Sequence, residues 1–244
     1  FIIKLQSIHI AFVLIIASIL WIKICSVLKK EYPEMLKKAL DKRAFGGINL
    51  SLDDPASKQI LLNGLTSQHI GEIFYSLSTL DELGFAELNQ HIISLLNHEE
   101  NRVKLEALRY IEKRNITEAV NRLYLFIENE KDLNVKSKAI MVLCTIGEND
   151  VLEFVLPLLN LKETVVKKGV IAGLLRSGGI EGVLAAGGIL TEFIKSFNPQ
   201  DRIFAAETLG IIGIKSFYRP LLELMNDNVL SVRKAAVEAA GELK

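Results

Sequence analysis

One short pattern returns along the chain at a near-constant interval and limits what it can fold into. A Val is followed directly by a basic residue, by Ala four positions on, and by a turn former eight positions after that Ala. The copies are Val103, Lys104, Ala107, Asn115; Val135, Lys136, Ala139, Gly147; Val166, Lys167, Val170, Gly178; and Asp201, Arg202, Ala205, Gly213. The last, Val232, Arg233, Ala236, reaches its final slot at Lys244. Successive Val slots stand 32, 31, 35 and 31 residues apart. A fixed period of this size marks stacked supersecondary units, each of which buries its apolar face only against its neighbours. Each period has room for two helices. The Ala slot suits a close approach of helices, and the closing slot suits a left-handed residue that ends one. The fold class expected is therefore all-α, an α-solenoid of helical hairpins.

Val-basic-x-x-Ala, a closing Gly and a period near 31 residues resemble the HEAT family, in particular its phycobilin-lyase-like subgroup, over residues 85–244. The apolar patterning predicts helix pairs at Phe85–Asn97 with Glu100–Arg114, Ile116–Asn129 with Leu133–Ile146, and Asp150–Leu159 with Glu163–Ser177. Ile180–Phe197 pairs with Pro199–Ile212, and Ser216–Met225 with Val229–Leu243. Lys58–Thr66 and His69–Leu83 form an atypical pair without the Val-basic-Ala pattern, as suits a terminal cap. The solenoid is thus expected over 58–244, a cap pair over 58–84 and then five HEAT-type repeats. Half of the residues are hydrophobic and only 7% aromatic, the composition that stacked helices require.

Residues 5–22 form an uncharged run of 18 between Lys4 and Lys23, with Trp21 near one end. That length spans a bilayer once the flanking lysines snorkel, so residues 1–30 are expected to be one transmembrane helix. Lys29, Lys30, Lys37, Lys38, Lys42 and Arg43 crowd its C-terminal side, which places the repeats in the cytosol by the positive-inside rule. Gln6, Ser7, His9 and Ser18 suit a span packed against other helices. The chain opens on Phe1 and its first methionine is Met35, so this is expected to be the last span of a longer protein. The final helix lacks a polar cap, and more chain is expected after it. Residues 31–57 read as a juxtamembrane helix, Glu31–Phe45, and a linker ending in Asp53-Asp54-Pro55.

A terminal span running through a basic juxtamembrane stretch (Trp21–Phe45) into a cytosolic HEAT array resembles the C-terminal extension of some bacterial major-facilitator-type transporters, including relatives of the ATP/ADP carrier family. The resemblance implies an integral inner-membrane protein whose array links the membrane domain to a protein partner or adjoining regulatory domain. A single-pass membrane-anchored adaptor is the alternative. A lyase-like role in tetrapyrrole attachment is a third reading, implied by the repeat resemblance alone.

The most regular polar feature is a ladder of cations at one slot: Lys104, Lys136, Lys167, Arg202 and Arg233. It is a candidate interaction stripe for a phosphate or an acidic helix. The structural reading is ion pairing, with Glu100, Asp132 and Glu163, three residues before the Val slots, as the acids. The 29 basic and 29 acidic side chains cancel, but Lys4, Lys23, Lys29 and Lys30 stand in a segment without acids, which leaves the rest at −4. A mildly acidic array is a poor nucleic-acid binder, so no nucleic-acid partner is expected. Seven of the sixteen glycines fall at 169–188, where no strand or Gly-Lys-Ser/Thr accompanies them; close helix packing and a bend or soft point are expected there. His69, His91 and His98 lack a metal-ligand spacing, and Cys25 and Cys144 suggest no disulfide. No nucleophile-base arrangement, paired-carboxylate motif or nucleotide fingerprint occurs, so no catalytic residue, cofactor or metal is expected, and no enzyme.

Overall fold

The computed structural model describes residues 55–147 and 151–243, together with Ser18 and Trp21. The chain divides into two units, Phe1–Ile60 and Leu61–Lys244. In the first, Ser18 and Trp21 are helical and exposed. The rest of the expected transmembrane helix, the juxtamembrane helix and most of the linker lie outside the described residues. Among the described residues, no helix is long and apolar enough to cross a membrane.

All regular structure among the described residues is helical, an all-α solenoid of helical hairpins. Helix α1, Pro55–Leu65, begins three residues before the expected Lys58, because proline suits the first turn, where its missing N–H would be unbonded anyway. Gly64 brings it against α2, Ile70–Glu82: a Cβ at Gly64 would lie 2.0 Å from Ser76 Oγ.

Beyond the cap pair, first and second helices alternate. The first helices are α3 (Leu88–Ser94), α5 (Val120–Asn129), α7 (Val151–Val155), α9 (Gly179–Lys195) and α11 (Tyr218–Met225). The second are α4 (Asn101–Arg114), α6 (Leu133–Ile146), α8 (Thr164–Ser177), α10 (Pro199–Ile212) and α12 (Leu230–Gly241). Four of the first helices carry a 3₁₀ turn at one end: Leu95–Asn97 after α3, Thr117–Ala119 before α5, Leu156–Asn160 after α7 and Lys215–Phe217 before α11. Behind α7 the cause is Pro157, which removes a backbone donor and crowds the preceding turn.

Consecutive second helices pack on one another and form the core. The apolar residues of α6 run almost all round it, and Val135, Ala139, Ile140, Val142 and Leu143 are wholly buried. First helices bury only a stripe, such as Leu123, Phe126 and Ile127 on α5. Each fully buried Val, Leu or Ile contributes about 1.5–3 kcal/mol. Side chains start the best-capped helices: Asp132 accepts from the Asn134 and Val135 amides at the head of α6, and Asn198 from the Gln200 amide at the head of α10.

The closing slot splits into two kinds. Asn115 (φ 49°) and Gly213 (φ 65°) are left-handed, as expected. Gly147 is extended and Gly178 has φ −79°, so neither is there for its handedness. What both lack is room: a Cβ on Gly147 would meet Val151 Cγ2 at 2.2 Å, and one on Gly178 would meet the Leu174 carbonyl oxygen at 2.7 Å. Gly178 ends α8 and also starts α9, and Gly179 (φ 60°) makes the reversal between them without an intervening loop. Gly169 and Gly173 instead sit inside α8 against α6, where a Cβ would lie 2.8 Å from the Ser137 carbonyl oxygen and 3.2 Å from Met141 Cα, respectively.

Candidate functional site: the cation ladder and its two grooves

The ladder residues stand in the first turns of the second helices, along the edge made by the loops between first and second helices. The structure does not join them to Glu100, Asp132 and Glu163. Asp132 spends one carboxylate oxygen on the start of α6 and takes the Asn101 amide on the other, 2.9 Å away; Glu100 and Glu163 make no side-chain cap bond. The true partners are acids in the following loop. Lys104 Nζ donates to Glu130 Oε2 at 2.7 Å, with the two side chains 15% and 5% exposed. Arg202 holds Asp227 with both arms of its guanidinium, at 2.6 and 2.9 Å. Burial would raise the Glu130 carboxyl, but Lys104 and the Asp132 and Lys131 amides outweigh it and hold it below the ordinary value. The bond from Arg202 holds Asp227 low against a smaller opposing effect of burial.

Arg202 also donates to the Ser196 and Phe197 carbonyls, and Arg233 to those of Asp227 and Asn228. Three of the five ladder cations are therefore built into the fold. Lys136 and Lys167 have no ion pair among the described residues. The reason lies five residues before each Val slot, where Glu130 and Asp227 flank the array but Leu161 and Ser196 fill the two middle places.

Two grooves open on this edge, each lined by a ladder lysine. The larger, about 900 Å³, runs between the loops at Asn97–Asn101 and Asn129–Asp132, with Lys104 paired to Glu130 and Leu125 half-exposed at its side. The smaller, about 370 Å³, lies between α8 and α10 and is lined by Lys162, Lys167, Lys168, Phe193, Ile203 and Phe204 among others. Its acids are occupied: Glu207 pairs with Lys168, and Asp201 accepts from Ser196 Oγ at 2.6 Å and Asn198 Nδ2 at 3.3 Å. Asp201 also stands where other copies have a buried Val, which leaves this seam without its apolar plug. Nearby, Phe197 is fully exposed on a loop that Arg202 holds by two carbonyls.

Ion pairs missed at the sequence level tie the second helices together away from this edge. Asp81 receives Lys113 and Arg114, which outweigh its burial and hold it below the ordinary value. Glu112 receives Lys138 at 2.5 Å and Arg176 at 3.4 Å, from α6 and α8. His98 Nδ1 accepts from the Glu100 amide, and His91 lies beside Phe85. Burial pushes the Cys144 thiol up to about 12. The outward face of α9 carries Ile180, Val183 and Leu184, 81%, 46% and 73% exposed. Among the described residues no cluster of three or more His, Cys, Asp or Glu side chains is placed to hold a metal ion.

No family model and no curated protein matches the chain. Among solved structures, human deoxyhypusine hydroxylase in complex with glycerol is similar, at 16% identity and a TM-score of 0.37, over 76% of this chain and 93% of that one. The likeness is too distant to assign this chain a reaction. That protein is nonetheless an enzyme of HEAT-repeat fold, so the expectation that these residues hold no enzyme is withdrawn. Stacked helical hairpins do not exclude catalysis, because chemistry belongs to the side chains mounted on a fold and not to the fold itself.

Proposed function

We propose that the repeat array is a protein-interaction platform that takes an acidic partner, a separate protein or an adjoining regulatory domain, along the ladder edge. The observation that carries this reading is the uneven neutralisation of the ladder. Lys104, Arg202 and Arg233 are committed to the fold, whereas Lys136 and Lys167, both half-buried in the middle of the array, have no ion pair among the described residues. Phe197 supports it, since an exposed aromatic on a fixed loop loses little entropy on contact and is the kind of anchor that dominates interfaces. A photo-crosslinking residue at Phe197 of the native gene product, compared with one at exposed Glu118 beyond the opposite end of α4, tests the proposal. Crosslinks at Phe197 alone, abolished by Lys136→Glu with Lys167→Glu, are expected; equal yields at both positions overturn it.

The array is further proposed to be the cytosolic extension of an integral membrane transporter, possessing the nucleotide-carrier layout that the N-terminal sequence resembles. Its support is the apolar run at 5–22 with its basic flank. Intact mass after detergent extraction tests this. A species far heavier than 27.2 kDa is expected, and a membrane species of that mass would favour the single-pass adaptor.

A further inference from the structure

We infer that the groove between α8 and α10 is the anchor point for the partner, taking a peptide segment in which a carboxylate side chain stands next to an aromatic or large aliphatic one. The inference rests on the platform reading and locates it. Three observations combine. The groove exists because the seam is not closed as its neighbours are. Gly169 and Gly173 bring α8 onto the backbone of α6, and Gly210 brings α10 onto Ala239 of α12, where a Cβ would lie 3.0 Å from Cα. Between α8 and α10 the spacer is Phe204, packed at a 42° tilt against Phe193 with 4.6 Å between ring centres, and the Val slot holds Asp201.

The charge in the groove is also unspent. Of its three lysines, Lys168 is bound to Glu207 and lies 5.5 Å over the Phe204 ring; Lys162 and Lys167 have no ion pair among the described residues, and Asp201 is satisfied by Ser196 and Asn198. In the larger groove the equivalent lysine, Lys104, already has its carboxylate in Glu130. The smaller groove therefore offers an incoming carboxylate the place that Glu130 fills two seams earlier. Finally, one part of its wall is apolar. Two solvated lysines alone hold an anion weakly. Phe193, Ile203 and Phe204 supply the burial that makes a peptide side chain a better occupant than a lone ion.

The test uses the full chain in detergent and a terminally blocked pentapeptide of four glutamates around one para-fluorophenylalanine, followed by fluorine NMR. Saturable shift or broadening of the fluorine line is expected. Lys162→Glu with Lys167→Glu should weaken binding about tenfold or more, the effect of reversing two contacting charges. Lys131→Glu, on the rim of the larger groove, should leave it unchanged. Thermal unfolding of each variant shows that a loss is not a loss of fold. Equal weakening by Lys131→Glu would mean that the edge attracts acids at large; the anchor would then fall while the platform reading stood. Equal affinity for a pentapeptide with glycine in place of the aromatic, or displacement by equimolar inorganic phosphate, would overturn the peptide site in favour of a bare anion site. An unmoved fluorine line also overturns it, and the crosslinks at Phe197 then decide the platform reading separately.

Discussion

Lys104 and Lys136 occupy the same place in successive repeats, yet one is bound and the other is not, because the residue five before the next Val slot is Glu130 in the first case and Leu161 in the second. Removing that acid exposes the difference. Glu130→Gln leaves a largely buried ammonium without its anion and should lower stability by about 1.5–3 kcal/mol. Lys136→Gln removes nothing paired and should stay within about 0.5 kcal/mol; urea unfolding of the two variants separates them. Glu130, Asp227 and Asp81 share a pH signature, since all three carboxyls lie below their ordinary values in the fold. A carboxyl depressed by folding contributes stability above its unfolded pKa, and that contribution is lost as pH falls through the folded one. The melting temperature should therefore hold between pH 7 and 5 and drop below about pH 4. Glu130→Gln with Asp227→Asn should make that acid limb shallower; an unchanged slope would mean that these pairs do not carry it. The ladder itself was legible in the sequence, but its partners were not. The acids three before the Val were the nearer choice in sequence, and only the return of the chain through the next loop brings the acids five before it into reach.

At the scale of elements, the helices follow the apolar period closely. Leu133–Ile146 and Pro199–Ile212 end where the pattern says, because Asp132 and Asn198 cap them and the periodic residues stop at a glycine. The first helices fit less well. They bury one stripe only, so their terminal turns are held by few contacts and relax to 3₁₀ form, as at Leu95–Asn97 and Lys215–Phe217. Which glycines serve space and which serve conformation could not be read from the chain, since Gly147 and Gly213 look alike until their surroundings are known. The contrast is measurable. Replacing glycine by alanine inside a helix gains about 1 kcal/mol of propensity, so Gly188→Ala on α9, where a Cβ meets nothing within 4 Å, should stabilise. Gly169→Ala drives a methyl toward the Ser137 carbonyl oxygen at 2.8 Å. Overpacking there costs about 1–3 kcal/mol and should reverse the sign. Thermal melts of the pair decide it; two shifts in the same direction would count against the close α6–α8 approach.

For the molecule as a whole, stability in a stacked array is approximately a sum over neighbouring interfaces. Here those interfaces are unequal, with two glycine-mediated contacts on either side of the seam that Asp201 and Phe204 hold apart. Glu112 offsets part of this by reaching both Lys138 and Arg176, so one carboxylate links three successive second helices. The outward face of α9 bears on behaviour at high concentration. Ile180, Val183 and Leu184 form an apolar strip on an array whose net charge, counted from residue 31, is only −4, and so small a charge gives little repulsion to keep sticky strips apart. Light scattering should give a negative second virial coefficient near neutral pH. Ile180→Glu should move that coefficient toward positive values at unchanged melting temperature, so the limit on how concentrated this protein can become is set by one helix face and not by the strength of its fold.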